Sequence, residues 1–202
     1  KVLVGLNRLG IPTLEGYGLT ECAPLVAYPA ISGFKPGSVG KVLSCMEYKI
    51  VEQDETGAGE LCVRGPNVMK GYYKNPEATA EILKEDGWLL TGDMAEERDG
   101  FIYLVDRAKD VIITGGENLY PVQIEDFLRA HGAVKDVAVI GLPDERLGEI
   151  AAAIIQIKGG MECTEAEINA FCMALPRYKR PKKIFFDKVP RNPTGKIEKP
   201  KL

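Results

Sequence analysis

The chain is poor in the residues that build metal sites and disulfide frameworks. It has a single histidine, His131, and five cysteines at positions 22, 45, 62, 163 and 172, none of them in Cys-x-x-Cys spacing. This pattern argues against a zinc site. An odd number of scattered cysteines is typical of the reducing cytoplasm, where each thiol is a small buried hydrophobe. We therefore expect a cytoplasmic protein with free cysteines.

Long apolar runs and an excess of one charge are also missing. The 202 residues include 26 basic and 29 acidic side chains, for a net charge of −3. This balance argues against a general nucleic-acid binder. No apolar run approaches the length of a membrane span, and the opening KVLVGLNRLG lacks the regions of a signal peptide. The composition is that of a globular protein, and the length predicts one or two domains.

Short strands and turns dominate the first half. YKIVEQ and ELCVRG alternate apolar and polar residues around DETGAG, which predicts a hairpin. NPEATAEILKEDG predicts a helix with Asn75 as N-cap and Pro76 in the first helical position. GWLLTGD and GFIYLVDR predict two strands joined by the polar turn AEERDG. Strands at this density suggest a small barrel or sandwich.

Helices and strands alternate in the second half. VIIT, VAVIGL (stopped by Pro143), IAAAIIQIK and KKIFFDKVP read as strands, whereas PVQIEDFLRAHG and TEAEINAFCMAL read as helices. Thr164 and Glu167 predict a capping box for the second helix. We therefore predict an α+β protein with a β-rich, distorted-barrel subdomain over residues 1–105. The charged stretch DRAKD at 106–110 would be a hinge, and a small α+β domain would span 111–202.

Two motifs in the first half hold polar groups suited to a nucleotide. YGLTE, from Tyr17 to Glu21, offers an aromatic face, a glycine, a hydroxyl and a carboxylate. These groups could provide a stacking surface, a phosphate hydrogen bond and a Mg²⁺ ligand. In TGD, Asp93 at a strand end could accept hydrogen bonds from two ribose hydroxyls, or it could form a simple Asx turn.

Three further motifs follow at strand ends and in loops. Arg107 could bind ribose or phosphate through its planar fork, or form a surface ion pair. The two glycines of TGGEN, between a strand and a helix, could let the backbone approach a narrow ligand, although such a turn needs no ligand. Lys196 ends PRNPTGK, a stiff loop of prolines and glycine. It is either a solvated turn lysine or a cation held out for chemistry.

The order and spacing of YGLTE, TGD, DRAKD, GGENLYP and PRNPTGK resemble the C-terminal part of the adenylate-forming (ANL) superfamily. This superfamily includes acyl-CoA synthetases, peptide-synthetase adenylation domains and beetle luciferases. The resemblance covers the whole chain. Within the superfamily, GELCVRGPNVMKGYYKNPEAT and PRNPTGKI look most like fatty acyl-CoA ligases.

The resemblance implies a role for each matched residue. It implies the nucleotide-binding set Tyr17, Gly18, Thr20, Asp93 and Arg107, with Tyr17 near adenine, Thr20 on the phosphate and Asp93 on the ribose. It implies the CoA-binding set Gly115, Gly116, Glu117 and Asn118. Glu21 would bind Mg²⁺, and Lys109 would be the hinge residue. Lys196 would be the catalytic lysine, acting together with Thr20.

The implied reaction uses ATP, Mg²⁺ and coenzyme A to convert a carboxylic acid to acyl-AMP and then to a thioester. The first step brings a carboxylate against a phosphate, and a cation such as Lys196 offsets their repulsion. GGENLYP, together with the lack of any aromatic-acid signature, favours an aliphatic acid, and the motifs favour a long-chain fatty acid.

The chain departs from the family where it begins, because members carry a phosphate loop and most of their acyl pocket upstream of YGLTE. With no starting methionine, it is expected to be a fragment that is inactive alone, in which Tyr17, Thr20 and Glu21 lack most of their surroundings. Two alternatives stay open: an adenylation domain that loads a carrier protein, and a non-catalytic module that binds partners through its small domain. Luciferase chemistry is disfavoured, because Ile113 stands where luciferases have lysine.

Overall fold

The computed structural model describes residues 2–30, 33 and 35–202. The chain forms two compact units, Lys1–Ala108 and Lys109–Leu202. In the described part, no helix is both long enough and apolar enough to cross a membrane. All five cysteines are free. The expectation that each is buried is wrong for Cys45, which is exposed, and for Cys163, which is partly exposed.

The described residues of the first unit form two antiparallel sheets. The three-stranded sheet consists of β1 Tyr17–Gly18, β2 Leu25–Tyr28 and β3 Lys41–Val42. The four-stranded sheet consists, in order, of β4 Glu47–Val51, β5 Gly59–Arg64, β6 Leu89–Arg98 and β7 Phe101–Arg107. The helices are α1 Val2–Arg8, for which the sequence patterns made no prediction, and α2 Pro76–Ile82. Asn75 caps α2 by accepting a hydrogen bond from the Ala78 amide, as predicted.

The α+β class is confirmed, but among the described residues both sheets of this unit are open. In the four-stranded sheet each strand pairs only with its sequence neighbours, so β4 and β7 remain its two edges. The Val39 amide donates to the Ile102 carbonyl and the Ile102 amide donates to the Gly40 carbonyl, each at 2.9 Å, and these two bonds join β7 to the segment that leads into β3. Closure needs the first and last strands to pair. The predicted distorted barrel is therefore a pair of adjoining open sheets.

The hairpin of β6 and β7 corrects the sequence analysis. AEER is not a turn, because β6 continues to Arg98, which pairs with Phe101. The turn is Asp99-Gly100 alone, with φ of 54° and 78°. Two positive φ values are typical of the tight turn that Asp-Gly favours in hairpins. As a result Asp93 lies within a ten-residue strand and not at its end.

The second unit packs two helices on one sheet. Its elements are β8 Ile112–Thr114, β9 Glu117–Leu119, α3 Pro121–Leu128, β10 Val134–Asp144, β11 Gly148–Ile157, α4 Glu165–Cys172 and β12 Lys183–Phe186. The strand order is β10-β11-β8-β9, and β12 pairs parallel with β11. Ile124, Leu128 and Ile168 from the helices are buried with Val139 and Ile155 from the sheet. This apolar core belongs to the second unit alone.

Two boundaries in this unit differ from the predicted ones, and one local prediction is confirmed. Gly115 and Gly116, with φ of 59° and 88°, turn between β8 and β9, so they do not lead directly into a helix. β10 does not stop at Pro143 but runs to Asp144, which an edge strand tolerates because its outer amides need no partner. The predicted capping box begins α4.

Candidate functional site

Tyr17 and Asp93 form the polar centre of the first unit. The Tyr17 hydroxyl donates a 2.6 Å hydrogen bond to Asp93 Oδ2. The Tyr17 side chain belongs to the apolar core and is only 8% exposed. Burial, followed by the bond to Asp93 and its charge, raises the pKa of the Tyr17 phenol far above its ordinary value. Tyr17 therefore stays protonated and holds one carboxylate oxygen of Asp93.

Arg107 lies opposite Asp93 in the sheet. The two residues are cross-strand partners of β6 and β7, and such partners point to the same face. Thr91 braces this stretch, because its hydroxyl donates to the Leu61 carbonyl at 2.7 Å and accepts from the Asp93 amide at 3.2 Å. The Arg107 side chain is exposed and Asp93 is half-buried. A carboxylate and a guanidinium on one face suit a ligand with vicinal hydroxyls beside an anion.

Thr20 and Glu21 lie in a short 3₁₀ turn, Thr20–Cys22, directly after β1. The Glu21 carbonyl accepts from the Met69 amide at 2.8 Å, and Asn67 Nδ2 donates to the Cys22 carbonyl at 2.8 Å. Gly18 is required here for a structural reason, since a Cβ atom would lie 2.0 Å from the Pro24 carbonyl oxygen. YGLTE is therefore held by hydrogen bonds from residues of this chain.

The Glu21 carboxylate fits a role as a magnesium ligand. Its Oε1 accepts a 2.7 Å hydrogen bond from the Tyr72 hydroxyl, and this bond raises the pKa of Tyr72. Mg²⁺ commonly takes one or two protein carboxylates and completes its shell with phosphate and water. Within the described residues, no cluster of three or more His, Cys, Asp or Glu side chains could hold a metal by itself. A metal at Glu21 would therefore need further ligands from outside the described residues, such as phosphate oxygens and water.

Predicted site residues on the second unit lie in three separate segments. Lys109 is exposed in a 3₁₀ turn, Ala108–Asp110, at the boundary of the two compact units. The exposed hairpin of Gly115 and Gly116 continues into Glu117 and Asn118, and the Gly115 amide donates to the Leu147 carbonyl at 2.8 Å. Lys196 is exposed on its loop. In the described part of this unit, no hydrogen bond or ion pair joins these segments to one another.

The Lys196 loop is organised by one side chain. Asn192 Oδ1 accepts from the Thr194 amide at 3.0 Å, the Thr194 hydroxyl at 2.7 Å and the Lys196 amide at 2.9 Å. The Asn192 amide in turn donates to the Lys196 carbonyl at 2.9 Å. Gly195 takes a φ of 84°, a conformation that glycine adopts at little cost. The backbone at Lys196 is therefore held while its ammonium group is free to reach a ligand.

Sequence reasoning assigned no role to two groups that hold these residues. Tyr72 was present in the motif GYYKNPEAT, yet only the folded chain places its hydroxyl on Glu21, 51 positions earlier. Arg191 was present in PRNPTGK, yet its carboxylate partner Asp136 lies 55 positions away. Neither pairing leaves a periodic or spacing signal. The only signal was the position of each residue inside a motif already considered functional.

Comparison with known proteins places the chain in a family. Residues 4–73 match the AMP-binding enzyme family and residues 123–196 match the AMP-binding enzyme C-terminal domain. These matches, with the ordered motifs, define the chain as a member of the adenylate-forming superfamily that carries its C-terminal domain. The family resemblance is thereby confirmed.

Its relatives include acid–CoA ligases. The long-chain-fatty-acid–CoA ligase of Salmonella typhimurium (strain LT2) is 45% identical over 193 residues, which cover 91% of this chain and 34% of the relative. The 2-succinylbenzoate–CoA ligase of Geobacillus kaustophilus (strain HTA426) is 41% identical over 205 residues, covering 97% of this chain and 42% of the relative. The chain thus spans about a third to two fifths of the length of these relatives.

A solved structure shows the same fold. O-succinylbenzoate coenzyme A synthetase from Bacillus subtilis, in complex with ATP and magnesium ion, superposes with a TM-score of 0.85 at 35% identity. The match covers 100% of this chain and 43% of that chain.

Proposed function

We propose that the full-length protein containing this chain is an AMP-forming acid–CoA ligase. It would activate a carboxylic acid with ATP and Mg²⁺ and then transfer the acyl group to coenzyme A. The observation that carries the proposal is the arrangement of Asp93, held by a buried phenol and facing the same side as Arg107. A half-buried carboxylate held in this way can accept hydrogen bonds from the two ribose hydroxyls of a nucleotide.

The other site residues take matching roles in the first unit. Thr20 would hydrogen-bond the phosphate of the adenylate, and Tyr17 with Gly18 would border the adenine. Bound Mg²⁺ would supply charge neutralisation of the ATP phosphates, and Glu21 would be its protein ligand. This unit would be the C-terminal piece of a larger nucleotide-binding domain.

The second unit would serve both half-reactions through different segments. Lys196 would lie between the carboxylate and the α-phosphate during adenylation, where a cation offsets the repulsion of two anions. The hairpin from Gly115 to Asn118 would border the route of the CoA thiol. Lys109 would be the pivot between these uses, and the division of the compact units between Ala108 and Lys109 supports a hinge at 106–110.

For the acid we propose an aliphatic chain, with long-chain fatty acids first. The long-chain relative supports this choice, while the 2-succinylbenzoate relatives make it a matter for direct measurement. The five free cysteines support a reducing, cytoplasmic location.

The test measures the two half-reactions of the full-length protein separately. It uses ATP, Mg²⁺ and acids from acetate to palmitate, with benzoate and 2-succinylbenzoate, with and without CoA. Lys196→Ala is expected to lose about 10²–10³-fold in acid-dependent pyrophosphate release. A charge pair at about 4 Å and an effective dielectric of about 20 contributes about 4 kcal/mol, and each 1.36 kcal/mol is about tenfold in rate. Thioester formation from added acyl-adenylate should be largely spared.

The matched control is Lys188→Ala, since Lys188 is another exposed lysine of the same unit. Equal loss of both half-reactions in Lys196→Ala would contradict the assigned role. Pyrophosphate release without acyl-CoA would indicate a carrier protein as the acceptor. A failure to release pyrophosphate with any acid would favour a non-catalytic binding module.

A further inference from the structure

The Lys196 loop is tied to the sheet of its own unit by one guanidinium. Arg191 Nε donates to Asp136 Oδ2 at 2.6 Å and Arg191 Nη2 donates to Asp136 Oδ1 at 2.8 Å. The third nitrogen, Nη1, donates to the carbonyl of Gly195, the residue before Lys196. Arg191 also pairs with Ile197 as an isolated antiparallel bridge. The Arg191 guanidinium therefore connects a strand to the residue before Lys196, while the Arg191 backbone pairs with the residue after it.

Asp136 is itself held firmly. It lies near the start of β10, where the pairing with β11 is irregular between Val134 and Asp136. Its side chain is 15% exposed, and Oδ1 also accepts a 3.0 Å bond from the Val137 amide. The hydrogen bonds from Arg191 hold the pKa of Asp136 below its ordinary value. The carboxylate is thus charged at neutral pH and fixed relative to the sheet.

We propose that Arg191 and Asp136 are positioning residues for Lys196, which set where its side chain leaves the second unit. The claim that these residues support adenylation rests on the proposed function, whereas the claim that they hold the Lys196 loop in place does not. A forked, planar donor is required, because two nitrogens engage the carboxylate while a third reaches the Gly195 carbonyl. Lysine at position 191 keeps the charge but cannot make the three bonds together. Arg191→Lys is therefore the informative change.

The first measurement follows amide hydrogen exchange in the full-length protein. Arg191→Lys and Asp136→Asn should each speed exchange of the Lys196 and Gly195 amides by about tenfold, which corresponds to about 1.4 kcal/mol. Exchange in the core strand β11 should not change. The matched control is Lys201→Gln, which removes an exposed ion pair with Glu198 in the same C-terminal segment. The double variant should exchange no faster than either single variant.

The second measurement separates the half-reactions of the same variants. Arg191→Lys should lower the kcat of acid-dependent pyrophosphate release by about 10–100-fold, since misplacement of a catalytic group by about 1 Å costs about that much. The KM for ATP and the thioester step from added acyl-adenylate should stay near those of the unaltered protein.

Loop exchange and pyrophosphate release together distinguish four outcomes. Faster loop exchange with slower adenylation supports the proposal. Unchanged loop exchange overturns it, whatever the activity. Faster loop exchange with full adenylation overturns the catalytic role of the tie. If the variants show faster loop exchange but the unaltered protein releases no pyrophosphate, the contact between Arg191 and Asp136 does hold the loop, and it is the proposed function that is rejected.

Discussion

The bond between Tyr17 and Asp93 allows a quantitative test of how the site is held. Tyr17→Phe removes the hydroxyl donor, whereas Asp93→Ala leaves that hydroxyl buried beside the core without its acceptor. Hydrogen bonds to charged groups contribute about 1.5–3 kcal/mol, and an unpaired buried donor costs about 1–3 kcal/mol. The 2.6 Å distance and the 8% exposure of Tyr17 place this bond among the stronger ones. We therefore expect a coupling energy of about 1–2 kcal/mol in a double-mutant cycle.

The assay uses the single tryptophan of the chain. Trp88 lies in the first unit, where Lys49 Nζ is 4.3 Å and the Arg64 guanidinium carbon 4.8 Å from its ring. Its fluorescence during urea unfolding therefore reports the stability of that unit separately from the second one. The four chains of the cycle are the unaltered protein, the two single variants and the double variant. Effects of alanine on strand propensity cancel in such a cycle.

The cycle has a clear refuting result. If Tyr17 and Asp93 form the bond that holds the site, the double variant should be about as stable as Tyr17→Phe alone, or only slightly less so. Single-variant costs that add to within about 0.5 kcal/mol would show that the two groups are not coupled, because independent sites add to that accuracy. Asp93 would then not be held by Tyr17 in solution.

Two further predictions concern the first unit. In the full-length protein, Tyr72→Phe should raise the Mg²⁺ concentration for half-maximal adenylation by about tenfold, because groups that orient a metal ligand have effects of this size. The neighbouring Tyr73, which is 87% exposed, provides the control variant Tyr73→Phe. Equal effects of the two variants would contradict the orientation of Glu21 by Tyr72 as a metal ligand. For the thiols, burial and then the charge of Glu21 raise the pKa of Cys22 to about 11, so at pH 8 iodoacetamide should modify exposed Cys45 first and Cys22 only after unfolding. Rapid labelling of Cys22 in the native protein, detected by peptide mass spectrometry, would contradict its burial.

Local elements were predictable because their signals lie within a few residues. Asn75 caps α2 through an amide three positions later, and Thr164 with Glu167 forms the capping box of α4 over the same distance. The hairpin of β4 and β5 was likewise predictable from alternation and a glycine-rich turn. The pair Gly115-Gly116 was predicted to connect a strand to a helix. Two glycines can form a turn before a strand as easily as before a helix, so the sequence does not distinguish the two. AEER was misread because polar side chains also occupy exposed positions of an edge hairpin.

The motifs were enough to assign the family, the α+β class and the candidate residues of each site. Which of those residues contact one another depends on the folded chain. Tyr17 reaches Asp93 across 76 positions, and Arg191 reaches Asp136 across 55. Such pairings depend on strand register and on the packing of a whole unit, which bring distant segments together only when all the intervening contacts form at once. A motif can therefore name a candidate residue, while the partner that orients it is set by the fold.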